Sequence, residues 1–88
     1  MKLVFSTRGW EDYLFWQASD PVALAKINGF IVECRRDPFR GTGKPEPLKG
    51  NWSGWWSRRI GGERRLVYRV TGSDDDQRLE IAQCRFHY

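Results

Sequence analysis

Asp20-Pro21 is the feature that most restricts how this sequence folds. An acid at an N-cap position followed by proline at the first helical position is a strong helix start, so a helix is predicted from here to about Arg36. Asp37-Pro38 ends it, because a proline disfavours helical geometry in the residue before it. The predicted apolar stripe of this helix consists of Leu24, Ile27, Ile31 and Cys34.

The segment before Asp20 is predicted to form another helix, from about Thr7 to Gln17, with Ser6 available as its cap. A short strand over residues 2–6 precedes it. Apolar residues recur at helical spacing, and the polar positions between them are expected to face solvent. The predicted apolar stripe consists of Trp10, Tyr13, Leu14, Trp16 and Gln17. The predicted solvent face consists of Arg8, Glu11 and Asp12.

The rest of the chain indicates a loop followed by a strand meander. Residues 39–48 contain two glycines and two prolines, which is typical of a stiffened loop. Gly61-Gly62 predicts a hairpin turn, and residues 72–76 predict a polar turn. Strands are predicted at residues 55–60, 64–71 and 78 to about 86.

The element order β-α-α-β-β-β predicts an α+β fold. Two helices would pack on one face of a mostly antiparallel sheet of four to five strands. The opposite face would remain open and carry a row of arginines from the hairpin. The length of 88 residues suits one domain spanning residues 1–88.

The apolar runs and the number of cysteine and histidine residues limit which classes of protein this sequence can belong to. No apolar run is long enough for a secretory signal or a membrane span, so a soluble, cytoplasmic protein is expected. Cys34, Cys84 and His87 are too few for a zinc site of about four such ligands. Buried, reduced thiols are therefore expected, and no metal or cofactor is predicted.

Positive charge is concentrated in one stretch. Residues 44–69 contain seven basic and two acidic residues, whereas the remainder is close to neutral. A localised basic field is typical of a protein that binds a phosphate-bearing partner. A solvated basic face without any partner is the open alternative.

Four residues are predicted to converge on the open face: Glu46, Arg59, Arg65 and His87. Metal-free RNA cleavage needs a base for the ribose 2′-OH, an acid for the leaving 5′-oxygen and cations over the phosphate. A carboxylate, an imidazole and arginines suit those roles. Each residue also has an ordinary surface role, and from residue types alone non-catalytic nucleic-acid binding is preferred over cleavage.

The tryptophans at positions 52, 55 and 56 allow two interpretations. Aromatic side chains among basic residues stack nucleic-acid bases, but strand tryptophans also serve packing and protein interfaces. Packing or an interface is favoured.

Several blocks of the sequence resemble the Txe/YoeB family of bacterial toxins, within the RelE-like superfamily. The blocks occur in order at near-fixed spacing: WEDYL at 10–14, GKPEPLK at 43–49, WSRRI at 56–60, RLVY at 65–68 and CRFHY at 84–88. The resemblance implies a microbial-ribonuclease-like fold. It also implies metal-independent cleavage of messenger RNA in the ribosomal A site, giving a 2′,3′-cyclic phosphate and a 5′-hydroxyl.

The resemblance further implies several partners. Besides the ribosome and messenger RNA, a cognate antitoxin of the YefM/Axe type would wrap the toxin with its C-terminal segment. Operator DNA would be bound only through the antitoxin. A homodimer is possible, and no membrane partner is expected.

By similarity to the family, Glu46 is the general base and His87 the general acid. Arg65 would stabilise the phosphate with help from Arg59, and Tyr88 would orient the substrate base or the histidine. Glu63 would support the site. Predicted RNA contacts are Lys44, Lys49, Arg58 and Arg64. Many relatives carry histidine where this chain has Arg64, so His87 is its sole imidazole.

Two competing functions stay open at this level. A basic sheet that holds ribosomal or messenger RNA would block translation without cutting. Alternatively, an inactive chain would serve only as an antitoxin partner, although the presence of Glu46, Arg65 and His87 together argues against it.

Overall fold

The computed structural model describes residues 1–86. Strand β1 is followed by two helices and then by four further strands, one more than the three that the sequence predicts after the helices. Two short 3₁₀ turns lie at Gly50–Trp52 and Asp74–Asp76. The elements are β1 (Lys2–Phe5), α1 (Thr7–Ser19), α2 (Pro21–Cys34), β2 (Glu46–Pro47), β3 (Trp56–Gly61), β4 (Arg64–Thr71) and β5 (Arg78–Gln83).

The five strands form one mixed sheet in the order β1-β5-β4-β3-β2. All neighbouring strands are antiparallel except β1 and β5, which are parallel. The predicted α+β fold is therefore confirmed, including the packing of β5 beside β4. Strand β2 is a two-residue addition inside the predicted loop, and it places Glu46 on the sheet edge. No helix within residues 1–86 is long and apolar enough to cross a membrane.

Helix α2 begins and packs as predicted. Asp20 accepts hydrogen bonds from the backbone N–H groups of Val22 and Ala23, at 3.0 and 3.1 Å, which satisfies two donors that the first turn leaves free. Ile27 and Cys34 are fully buried. Phe30 joins them in the core, where the helix packs against β3.

Helix α1 turns a different face to the sheet than predicted. Its buried residues are Gly9, Asp12 and Trp16, whereas Trp10 and Leu14 of the predicted stripe are exposed. The predicted solvent position Asp12 is only 5% exposed. The stripe prediction was right for Trp16 and wrong for Trp10 and Leu14, because α1 also lies on β5 through polar contacts, which a hydrophobic pattern does not register.

The strand boundaries differ from the predictions near the turns. The hairpin turn is Gly62-Glu63, one residue later than predicted, because a register shift lies between Arg59 and Gly61. Gly62 has φ of +56°, a backbone region that glycine enters without strain. Strand β5 ends at Gln83 rather than near Phe86.

Candidate active site

Three adjacent strands bring the predicted general base, Glu46, and two predicted arginines onto the open face of the sheet. In the ladders, Glu46 of β2 lies opposite Ser57 of β3, and Arg59 of β3 lies opposite Arg65 of β4. Ser57 and Arg59 are two residues apart, so they share a face of the sheet. Paired residues also share a face. Glu46, Arg59 and Arg65 are thus neighbours, as the sequence predicts.

Electrostatics make this group a suitable anion site. The Glu46 carboxylate lies 3.7 Å from the Arg59 guanidinium, and both side chains are about half exposed. The Arg65 guanidinium donates to the carbonyl oxygens of Gly62 and Arg64, at 2.8 and 3.1 Å. Directly opposed like charges are unfavourable in a sheet, so a phosphate between Arg59 and Arg65 would relieve their repulsion.

The segments on both sides of β2 are tied to β3 or to the residue just before it, next to the site. The backbone N–H of Arg59 donates to the carbonyl of Gly43 at 2.6 Å, and that of Leu48 donates to the carbonyl of Trp55 at 2.9 Å. Gly43 has φ of +80°, and a Cβ there would lie 2.7 Å from the Phe30 ring. Only glycine allows this close approach, which helps set the position of Glu46.

Arg58, a predicted RNA contact, is fully buried on the helix-covered face. Its guanidinium donates five hydrogen bonds, which use all five N–H donors of an arginine. The acceptors are the Glu33 carboxylate, the Tyr68 hydroxyl and the carbonyls of Asp37, Arg40 and Thr42. The RNA-contact prediction for Arg58 is corrected: this residue ties the loop to the core.

The groups around Arg58 have shifted pKa values. Hydrogen bonds from the Thr42 hydroxyl and backbone, and then the Arg58 charge, hold the pKa of Glu33 below its usual range. Burial raises the pKa of the Tyr68 hydroxyl and of the Cys34 thiol. The buried cluster is therefore one cation held by one carboxylate and by neutral groups, with the charge of Arg58 fixed.

The remaining predicted contacts lie around the site rather than within it. Lys44 and Lys49 are exposed on the loop flanking Glu46. Arg64 lies on the helix side of β4, with its guanidinium 5.2 Å from the Trp16 ring centroid. Glu63 is exposed in the hairpin turn and lines a groove of about 350 Å³ with Arg64.

The tryptophans pack against neighbours. Trp56 contacts Phe39 at a centroid distance of 4.7 Å, and Trp52 contacts Trp55 edge-on at 5.6 Å. Arg69 lies over the Trp55 ring at 4.3 Å. These contacts favour the packing interpretation over base stacking.

His87 and Tyr88, the predicted general acid and orienting residue, lie outside the described residues. In the part of the chain that the structure does describe, no three His, Cys, Asp or Glu side chains are grouped closely enough to hold a metal ion. Of the predicted site, the described residues contain the carboxylate of Glu46 and the guanidinium groups of Arg59 and Arg65.

Comparison with known proteins identifies the family. Residues 5–88 match the model of the YoeB-like toxin of bacterial type II toxin–antitoxin systems. The chain is 57% identical over its full length, and the full length of the relative, to Toxin YoeB of Escherichia coli K12. This chain belongs to the YoeB-like toxins. It is therefore the toxin of a type II toxin–antitoxin system, as the resemblance predicted.

Solved structures of YoeB-like toxins agree. A YoeB/ParE toxin from Agrobacterium tumefaciens is 58% identical, with a TM-score of 0.94 and full coverage of both chains. A heterotetrameric YoeB–YefM complex from Staphylococcus aureus is 42% identical, with a TM-score of 0.85, covering all of this chain and 98% of the other. A YoeB dimer from the same organism is 40% identical, with the same TM-score and coverage.

Sequence reasoning missed the structural positions of three polar residues. Glu33 binds Arg58 and Thr42. Asp12 is buried against the end of β5. Gln83 is 3% exposed, and its Nε2 has no acceptor among the described residues. Strand alternation was a usable signal for Arg58, since it shares a face with Trp56 and Ile60, but no sequence signal marked these three.

Proposed function

We propose that this toxin is an endoribonuclease that cleaves messenger RNA in the ribosomal A site and thereby inhibits translation. The placement of Glu46 beside Arg59 and Arg65 on an open sheet face carries the proposal. An open face admits a nucleic-acid strand, and a carboxylate flanked by two arginines suits base catalysis at a phosphodiester.

Glu46 is the general base in this scheme. Its carboxylate takes the proton from the ribose 2′-OH, and the 2′-oxygen attacks the adjacent phosphorus. The bond from phosphorus to the 5′-oxygen breaks as His87 gives that oxygen a proton. The products are a 2′,3′-cyclic phosphate and a 5′-hydroxyl, and no step passes through a metal. The need for the 2′-OH restricts the reaction to RNA.

Arg65 and Arg59 stabilise the charge that builds on the phosphate. A planar guanidinium stays charged at every relevant pH and binds two phosphate oxygens at once. Arg59 also helps to place the Glu46 carboxylate, which lies 3.7 Å from its guanidinium. Tyr88 orients the substrate base or His87.

Exposed cations around the site attract and place the RNA. Lys44 and Lys49 contact phosphates on the β2 side, and Arg64 contacts them beside the hairpin, where Glu63 supports the turn. Backbone contacts of this kind give affinity without sequence preference. Arg58 is left out, because all its donors are already bonded.

The partners follow from relatives. The Staphylococcus aureus relative is in complex with YefM in one structure and is a YoeB dimer in another. We propose that this chain likewise binds a YefM-like antitoxin, reaches operator DNA only through it, and forms a homodimer.

The test is to add purified toxin to a coupled translation extract and to map messenger RNA 5′ ends by primer extension. Wild type should produce new ends at ribosome-occupied codons, whereas Glu46→Ala and His87→Gln should not. Glu11→Ala, which removes an exposed carboxylate from α1, is the matched control and should cleave normally. Stalled translation with intact message would instead establish a binding inhibitor that does not cut.

A further inference from the structure

Two buried polar side chains of α1 have no role in the proposed reaction. Asp12 is 5% exposed and Trp16 is 3% exposed. They are four residues apart, so they lie on the same side of the helix. Buried polar groups are retained when they have specific partners, and both find theirs in one residue, Cys84.

Asp12 and Trp16 together hold the backbone of Cys84. The backbone N–H of Cys84 donates to Asp12 Oδ2 at 3.0 Å, and the Trp16 Nε1–H donates to the Cys84 carbonyl at 2.7 Å. Strand β5 has already ended at Gln83, so α1 takes over the pairing of this backbone from the sheet. We call Asp12 and Trp16 the α1 clamp.

The surrounding backbone is shaped for this contact. In the ladder, Val67 pairs with Gln83 while Tyr68 pairs with Ile81, so Ala82 is an extra residue. Such a bulge bends a strand and changes the direction of the residues that follow. The Ser6 hydroxyl donates to the Ala82 carbonyl at 2.6 Å.

Gly9 lets the helix come close enough for the clamp to form. A Cβ at Gly9 would lie 2.7 Å from the Ile81 carbonyl oxygen, a separation that a side chain does not tolerate. The helix, the bulge and the clamp are therefore one assembly at the end of β5.

We infer that Asp12 and Trp16 are positioning residues for RNA cleavage: by fixing Cys84, they set where the chain that carries His87 leaves the sheet. The inference rests on the proposed function, in which His87 is the general acid. Only two residues, Arg85 and Phe86, separate the clamped position from His87. Loss of the clamp would misplace the acid without removing any group that touches RNA.

The first variant is Trp16→Phe, which keeps an aromatic ring in the core but removes the indole N–H donor together with part of the ring system. The second is Asp12→Ala, with Asp12→Asn as its rescue because an amide oxygen still accepts from the Cys84 N–H. Single-turnover cleavage on programmed ribosomes separates the rate constant from the half-saturating ribosome concentration. A misplacement of about 1 Å can cost about a hundredfold in rate. We expect Trp16→Phe and Asp12→Ala to lower the rate constant by about tenfold or more, with half-saturation unchanged and Asp12→Asn close to wild type.

NMR provides a readout independent of activity. His87 is the sole histidine, so a labelled imidazole gives a single signal whose titration yields one pKa. We expect the clamp variants to shift this signal, because the environment of the imidazole changes when Cys84 is no longer held. Tyr13→Phe is the matched control, because it removes another aromatic donor of α1, the 2.8 Å bond to Asn28. It should change neither cleavage nor the signal.

The outcomes separate the inference from the proposed function. If His87→Gln abolishes cleavage while both clamp variants cut at the wild-type rate, the clamp inference is overturned and the proposed function stands. If His87→Gln cuts normally, the acid assignment fails. An unchanged His87 signal in the clamp variants would then overturn the clamp as well. Slower cleavage with a shifted signal, restored in Asp12→Asn, supports the inference.

Discussion

Arg58 and Arg59 are consecutive residues of β3, but one is buried and the other is exposed. Arg58 is fully buried and gives five hydrogen bonds to the loop and the core. Arg59 lies on the other face with its side chain 47% exposed, where one ion pair joins it to Glu46. The period-two alternation of a strand thus separates a structural cation from a cation available to a ligand.

Strand β4 repeats the division. Arg64 points to the helix side, over Trp16, and its neighbour Arg65 points to the open face, opposite Arg59. The open face therefore carries solvent-accessible arginines, whereas the covered face buries Arg58 in hydrogen bonds. Residue type alone does not separate the two kinds of arginine, but their position in the strand does.

The largest expected effect on stability comes from removing the buried arginine of β3, compared with removing its exposed neighbour. Arg58→Ala removes the donor to three loop carbonyls, the Tyr68 hydroxyl and the Glu33 carboxylate, and breaking a buried ion pair typically costs about 3–5 kcal/mol. We expect the free energy of unfolding, measured in urea by tryptophan fluorescence, to fall by about that amount. Arg59→Ala should lower it by less than about 1 kcal/mol.

Cleavage should reverse this order when both variants are assayed under conditions where each is folded. Arg59→Ala should cleave about a hundredfold more slowly, as expected for the loss of one group that stabilises the transition state. Equal losses of stability in the two variants would contradict the division of the sheet into two faces.

Arg65→Gln tests whether the arginines of the open face lower the stability of the fold while they support cleavage. The substitution removes the like charge opposite Arg59, so the free energy of unfolding should rise by about 0.2–1 kcal/mol. Cleavage should fall by about 10²–10³-fold because the phosphate loses a guanidinium. The gain should shrink in high salt, which screens exposed charges. A destabilised variant would show that Arg65 supports the fold.

Much of the fold was predictable because it follows local rules. The Asp20-Pro21 helix start and the α2 stripe each depend on nearby residues, and the structure confirms them. The face of α1 was mispredicted because Asp12 is buried by a partner 72 residues away, at Cys84. A hydrophobic pattern carries no information about such a contact.

The site was predictable to a lesser degree. The resemblance named Glu46, Arg59 and Arg65, and the register brings these three together. Arg58 was misassigned because neighbouring basic residues were treated as one surface. Glu33 could not be found at all, since its importance comes from the loop that folds back onto it at Thr42. The roles of Glu46, His87 and the arginines in cleavage stay predictions.

The covered face should also respond to acid in a way the open face does not. Hydrogen bonds from Thr42 and then the charge of Arg58 lower the pKa of Glu33 in the folded state. Its unfolded pKa is about 4.3. The stabilisation is therefore fully present above that value and is lost as pH falls through the lower folded pKa. Glu33→Gln should flatten the dependence of unfolding free energy on pH in this window.

The measurement is urea unfolding of wild type and Glu33→Gln at closely spaced pH values from 7 to 3. Glu11→Gln, which removes an exposed carboxylate from α1, serves as control and should keep the wild-type profile. Parallel profiles for wild type and Glu33→Gln would show that the Arg58 cluster does not depend on the ionised carboxylate.

The smallest expected effects come from substituting two helical glycines, one with free space around it and one packed against the sheet. Gly29 of α2 has nothing within 4 Å of a built Cβ, whereas a Cβ at Gly9 of α1 would meet the Ile81 carbonyl at 2.7 Å. Gly29→Ala should raise the free energy of unfolding by about 0.5–1 kcal/mol, because alanine is the better helix former.

Gly9→Ala makes the same gain in helix propensity but forces α1 away from β5. Since overpacking costs about 1–3 kcal/mol, the free energy of unfolding should fall. Thermal unfolding of both variants shows whether each substitution raises or lowers the stability. If both variants gained the same stability, α1 would not lie as close to β5 as its hydrogen bonds to Cys84 require.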